Sequence, residues 1–392
     1  MLKTITLICM LSVLTSIKSN KGIYPVKHNE TSATEAASIS ISPNNPLIEK
    51  DQHGQYLNFD ITVKNTSTHT LYLATIEASV MDALVKPLFR ESISVNGQAT
   101  GIKSIGSTLL KPGETITIFN PFYTLAPDVK ITFLQYEFFF DYADSPLQKE
   151  KNKKRLGVDF DVSIKKVITP RAYAPKTNFN LPLKGKLIVL DAYNFYPAQN
   201  AAAIFRSLQS GKGSIVKSTR YAFNLASVDE NGNMYKADPF KKENWYVFGK
   251  PVYAPAAGIV VDVQSTIPDN EFSGKVVKSP SIPADADPNH LGNYVIIDHG
   301  NGEFSMLQHL EQGSVTVRVG ELVGTGQQIG KIGFSGDITF PHLNYRVMNS
   351  SKSLTAEGTP SYFNNYKLYK GSSFILVGKG RIDSGDIVES VR

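Results

Sequence analysis

The chain has 392 residues, more than one ordinary core holds and enough for two or three domains. A hydrophobic content of 41% and a charged content of 19% exclude a chain dominated by disorder. The formal charge of +6 is a mild basic bias. The basic run Lys149 to Arg155 has no interleaved aromatics, and no phosphate-binding glycine loop opens a helix, so nucleic acid is not an expected partner.

Residues 1–19 read as a signal peptide. Lys3 supplies a positive start, Thr4 to Thr15 is an apolar run too short to span a bilayer, and Ser19 is a small residue at which cleavage can occur. The single cysteine, Cys9, lies in this segment. The mature chain would then lack a thiol for a disulfide or a Cys-ligated metal. The expected location is the periplasm or the cell exterior, with no membrane span after cleavage. Residues 20–38 are polar and read as a flexible leader.

Residues 39–169 carry the signature of strands. Leu57 to Val63 alternates apolar with polar, and Leu71 to Val80, Glu91 to Val95, Thr115 to Phe119, Lys130 to Tyr142 and Val158 to Val167 behave alike. Gly97, Gly101, Pro112-Gly113 and Pro127 punctuate them. Six or seven such strands predict an immunoglobulin-like β-sandwich. His53 and His69 fall in no catalytic arrangement and read as surface residues. Residues 170–182 form a proline-punctuated linker. Short strands resume in a second domain over 183–370, where Ala201 to Leu208 is the best candidate for a helical turn. Residues 371–392 read as a C-terminal extension. The predicted class is all-β: an immunoglobulin-like sandwich followed by a β-groove domain.

Six segments of the second domain carry the chemistry. They are Gly249 to Val261, Gly292 to Gly300 (Gly-Asn-Tyr-Val-Ile-Ile-Asp-His-Gly), Met306 to Leu310, Val317 to Val323, Gly326 to Gly330 and Pro341 to Val347. Together they form a string of short strands turned at glycine, the pattern of a compact β-groove. In order, spacing and wording they resemble the lysostaphin-type (LytM-like) zinc endopeptidases of peptidase family 23, which cut peptidoglycan cross-bridges. The resemblance covers about residues 185–370.

That resemblance implies a zinc ion held by a His and an Asp of an early strand and by the second His of a His-x-His pair. Three protein ligands leave a fourth position in which the metal acidifies a water. The early strand here reads Arg220-Tyr221-Ala222-Phe223-Asn224-Leu225, with Asn224 where the Asp is expected. No histidine lies between His69 and His290. His342 opens the pair, and Asn344 stands in for the ligand His. His309 keeps the His-Leu context of the family's other histidine. By the resemblance, His309 and His342 are the base and the oxyanion stabiliser.

A neutral Asn carbonyl is a weak zinc ligand beside imidazole or carboxylate, so zinc is not expected to bind and the cofactor expectation is none. A displaced metal site would have to draw on His290 or His299 with Asp229 or Glu230. His309 and His342 are then either relics or, with Asn224 and Asn344, the polar floor of a groove that still binds. The leading expectation is an exported, non-catalytic, peptidase-like protein that binds peptidoglycan or regulates a cell-wall hydrolase. The alternatives are an active zinc endopeptidase with an atypical site and a secreted interaction module without cell-wall contact.

Overall fold

A computed structural model describes residues 36–51, 54–94, 108–143, 160–192, 217–280 and 291–391. The signal segment, the leader up to residue 35, Cys9, His53, the basic run, the helical candidate Ala201 to Leu208 and His290 lie outside the described residues. Among the described residues the regular structure is strand, with 3₁₀ turns at Lys217–Thr219 and Lys242–Asn244. The all-β expectation holds.

The N-terminal part contributes β1 (Ala37–Ser42), β2 (Leu47–Lys50), β3 (Gln55–Leu57), β4 (Asp60–Asn65), β5 (Leu71–Met81), β6 (Pro87–Ser94), β7 (Leu109–Leu110), β8 (Thr115–Phe119), β9 (Thr124–Leu125), β10 (Phe133–Tyr142), β11 (Val162–Ile168) and β12 (Arg171–Ala172). One sheet runs β1-β4-β8 and another β11-β10-β5-β6, with β7 also on β5. A third runs β12-β2-β3-β9. The alternation read from the sequence explains the packing. In β4, Ile61 and Val63 are wholly buried while Lys64 faces water. Phe59, Leu73, Ile76, Phe138 and Phe140 close the core between the sheets, each burial contributing about 1.5–3 kcal/mol.

The remaining strands are β13 (Lys186–Asp191), β14 (Phe223–Ser227), β15 (Pro251–Tyr253), β16 (Gly258–Gln264), β17 (Glu271–Ser273), β18 (Val276–Lys278), β19 (Asn293–Asp298), β20 (Phe304–Leu310), β21 (Leu322–Val323), β22 (Gln328–Lys331), β23 (Leu343–Met348), β24 (Gly358–Thr359), β25 (Phe363–Lys370), β26 (Ser373–Gly380) and β27 (Ile387–Ser390). An eleven-stranded sheet runs β21-β16-β19-β20-β23-β14-β13-β27-β25-β26, with β24 on β23. β15 pairs with β22, and β17 with β18. A second hydrophobic cluster, including Val189, Phe223, Leu225, Val295, Leu307, Tyr345, Phe363 and Val388, packs on one face of this sheet.

Two segments differ from their sequence reading. Residues 371–392 are not an appendage: β27 lies between β13 and β25, and its Val388 is fully buried. In β26, Gly378 and Gly380 interrupt the alternation that marks other strands, and β27 is only 4 residues long, so neither stands out in the sequence. The proline-punctuated stretch 170–182 is also tied down. Glu303, itself buried, accepts the Thr177 backbone N–H at 2.9 Å, and the Tyr173 hydroxyl donates to the Pro360 carbonyl. Phe179 and Leu181 join the second core.

The two cores meet through a buried cation. Arg220 is 1% exposed, and it reaches Asp60 of β4 and Glu357 before β24, each at 2.6 Å. Arg381 lies over the Tyr56 ring, 3.9 Å from its centroid. A buried guanidinium stays charged, so removing it strands two carboxylates. Arg220→Ala is expected to destabilise the chain by about 3–5 kcal/mol, read as a lower denaturation midpoint in urea.

Candidate functional site

The site is built where β13, β14, β23 and β20 run side by side. Asn224 of β14 pairs directly with Asn344 of β23, which in turn pairs with Gln308 of β20. Directly paired residues of antiparallel strands project to one face, so these side chains form a row across the sheet. The structure therefore brings Asn224 and Asn344 together. The Asn344 amide donates to Asn224 Oδ1 at 2.8 Å.

A β-bulge extends the row to a residue that motif reading missed. In β13, Val189 opposes Leu225 and Asp191 opposes Asn224, so Leu190 is the extra residue between them. Without that insertion Leu190 would face Asn224 and Asp191 would turn to the other face. The Asn224 amide donates to Asp191 Oδ2 at 2.9 Å. The bulge is fastened by the C-terminal segment. Ala192 N–H donates to Ser384 Oγ at 2.7 Å, Gly385 N–H to the Val189 carbonyl, and Val189 N–H to the Asp386 carbonyl.

A second bulge aims His309. Asn293 opposes Leu310 while Tyr294 opposes Gln308, which makes His309 the inserted residue of β20. Its φ of +68° is left-handed, a conformation that costs a residue with a side chain about 1 kcal/mol or more. Several bonds hold it there. Its carbonyl accepts from Gly333 N–H, and its Nδ1 lies 2.9 Å from the Ser335 carbonyl. Ser335 is fixed in turn by Gly292 of the Gly-Asn-Tyr motif. A Cβ on Gly292 would come 2.4 Å from the Ser335 carbonyl oxygen, so only glycine permits this approach.

His342 completes the pair. Its ring centroid lies 5.2 Å from that of His309 in an edge-on arrangement, and both residues are buried. His342 Nδ1 lies 3.0 Å from the Phe340 carbonyl. A carbonyl can only accept, so each ring carries its proton on Nδ1 and keeps Nε2 as the acceptor nitrogen. Burial pushes the His342 pKa down from 6.5 to about 4, against the smaller raising effects of the Phe340 carbonyl and the Asp191 carboxylate. Aromatic rings back the pair: Phe340 packs on His342 at 5.1 Å and Trp245 stacks on Phe340 at 5.0 Å.

The side chains present do not fit a zinc ion. Asn224 has its oxygen on Asn344 and its nitrogen on Asp191, and both are neutral amide atoms already hydrogen-bonded. Among the described residues no group of three or more His, Cys, Asp or Glu is placed to hold a metal ion. The sequence offered His299, Asp229 and Glu230 for a displaced site, and the structure scatters them. His299 bonds the Ala257 carbonyl and Ser305 Oγ, each at 2.9 Å. Asp229 accepts from Asn231 and Asn233 in an exposed turn, and Glu230 pairs with Lys186. Arg220, which opens the early strand, points away into the ion pairs that join the two cores.

Comparison with known proteins bears on the part of the site that carries His309, His342 and Asn344. Residues 246–356 match the model of Peptidase family M23, and the chain carries a domain of that LytM-like family. The peptidoglycan DD-endopeptidase ShyA of Vibrio cholerae is 37% identical over 67 residues, which is 17% of this chain and 15% of the relative. ShyB of the same organism is 27% identical over 165 residues, covering 42% of this chain and 30% of the relative. The chain thus matches well under half the length of these relatives. Among solved structures, the catalytic domain of lysostaphin from Staphylococcus simulans aligns at 23% identity. That match covers 32% of this chain and 86% of that one, with a TM-score of 0.21. No helix among the described residues is long and apolar enough to cross a membrane.

The depressed His342 pKa carries a stability consequence. Between the folded value of about 4 and the unfolded value of 6.5, the unfolded chain binds the extra proton. The contribution is therefore fully present above pH 6.5 and is lost as pH falls through about 4, amounting to at most about 3 kcal/mol. Unfolding midpoints should fall over that window, less so in His342→Gln. Histidine NMR should show the His342 ring still neutral at about pH 5.

Proposed function

We propose that this chain is an exported, non-catalytic member of the M23 family that binds peptidoglycan or regulates a cell-wall hydrolase. The observation that carries this reading is the Asp191–Asn224–Asn344 hydrogen-bond chain. It engages both Asn-substituted positions in hydrogen bonds and leaves no carboxylate at residue 224 and no imidazole at residue 344. Water is acidified for peptide hydrolysis by a metal with an open coordination position, and this donor set supplies none.

The order of the groove floor supports a binding reading. His309 is held at positive φ by bonds from both its backbone and its ring. Strain of that kind persists where the surroundings over-determine it. Both imidazoles are preset in one tautomer, and the amides offer donors as well as acceptors. A ligand meeting such a floor loses little to reorganisation. Peptidoglycan is the proposed ligand because the aligned relatives are peptidoglycan endopeptidases by name. Export follows from the reading of residues 1–19 and from that ligand, which lies outside the cytoplasm.

The test takes purified full-length chain without its signal segment. It should sediment with insoluble peptidoglycan sacculi, release no soluble peptides even with added zinc, and hold less than about 0.1 zinc per chain by elemental analysis. His309→Ala with His342→Ala should weaken sacculus retention about tenfold, the equivalent of 1.4 kcal/mol. Stoichiometric zinc with digestion would establish the atypical-enzyme reading instead. No retention and no digestion would leave a secreted interaction module.

A further inference from the structure

We propose that Asp191 is a positioning residue of the groove floor: it fixes the direction of the amide chain and turns the Asn344 carbonyl oxygen, beside His342, toward an N–H donor of the ligand. This rests on the binding reading above for the ligand, though not for the amide chain itself.

The argument follows the protons. An ionised carboxylate can only accept hydrogen bonds, so the Asn224 side chain must present its nitrogen to Asp191 Oδ2, as it does at 2.9 Å. Its oxygen then faces Asn344, which must present nitrogen in turn, at 2.8 Å. Asn344 Oδ1 is left as the outer end of the chain, buried and with no partner among protein atoms. A buried acceptor without a bond is destabilising and calls for a donor. His342 lies just before β23 and precedes Asn344 by two residues, the spacing that puts side chains on one face of an extended chain. Its Nδ1 faces the Phe340 carbonyl, so its Nε2 is an acceptor as well. Two acceptors at neighbouring positions match an amine or amide N–H group better than a carboxylate or phosphate. Reversing the chain would set the Asn224 oxygen against the Asp191 carboxylate, and the bulge at Leu190 holds Asp191 in place to forbid it.

The structural half of this proposal is tested by exchange. Asn224→Asp places two carboxylates in contact and should lower the melting temperature at pH 7 by at least about 3 °C, a deficit that shrinks at pH 4. The exchanged pair, Asp191→Asn with Asn224→Asp, restores one carboxylate and should recover most of that loss. An Asn224→Asp variant as stable as the wild type at pH 7, or an exchanged pair no better than Asn224→Asp alone, would overturn the proposal.

The ligand half is tested by sacculus retention and by side-chain amide NMR. Asp191→Asn, which keeps shape but frees the chain to run either way, should shift the Asn224 and Asn344 amide resonances. It should also reduce sacculus retention about fivefold while staying folded. Triglycine amide should compete for retention in the wild type better than its N-acetylated, C-terminal-acid counterpart. Equal competition, or unchanged amide resonances in Asp191→Asn, would sink the assignment of a donor ligand. If the wild type is not retained at all, the binding reading fails, whereas the exchange experiment still decides the role of Asp191.

Discussion

Two single-residue bulges set the geometry on which the site depends. A regular antiparallel register would bring Leu190 opposite Asn224 and would keep His309 within the ladder, facing one sheet surface by alternation. The insertions at Leu190 and His309 change both outcomes. One turns a carboxylate toward the row of amides, and the other delivers an imidazole to within 5.2 Å of its partner ring. Each bulge is secured from a distant part of the chain, the first by Ser384 to Asp386 and the second by Gly333 and Ser335. The site is therefore a property of the whole sheet and not of the motif segments alone.

Much of this was legible in the sequence, and the legible part has a common physical cause. Strands such as β4 and β11 were readable because burial alternates along much of their length, so the sequence pattern records the pleat directly. The motif segments were readable because glycine is required where they turn or approach closely, as Gly292 is against Ser335. Asn344 could be placed from the segment Pro341 to Val347 and Asn224 from the early strand Arg220 to Leu225, while their pairing comes from the structure. What the sequence hid was register. Asp191 ends the run Leu187-Ile188-Val189-Leu190-Asp191, where it looks like the polar edge of any strand. Only the bulge makes it a neighbour of Asn224, and no local signal marks a bulge that the far end of the chain secures.

The same limit explains Arg220 and the C-terminal strands. Arg220 sits four positions before Asn224, and by composition alone it is one more surface cation. Its burial becomes intelligible only when Asp60, 160 residues away in sequence, closes on it. A charge of this kind is tolerated because it is paired on two sides, and the pairing ties the first core to the second. β27 was hidden because it is short, and β26, at the edge beyond β25, because glycines break its alternation. The inclusion of β27 in the sheet nonetheless connects the chain's end to Asp191 through the Ser384 to Asp386 turn.

The relation between fold and chemistry in this chain turns on a few atoms. An Asn differs from Asp by exchanging one oxygen for an NH₂ group, and strand pairing is indifferent to the exchange. Hydrogen-bond polarity is not indifferent: two facing carboxylates repel, whereas amide to amide to carboxylate runs in one direction without conflict. A floor designed for a cation must gather negative or lone-pair groups, and it holds its shape best when the cation is bound. A floor made of amides closes on itself and keeps its shape without one. The strands, the bulges and the histidine pair place the same backbone around either kind of floor, because the pairing of β14 with β23 does not depend on which polar group stands at residues 224 and 344.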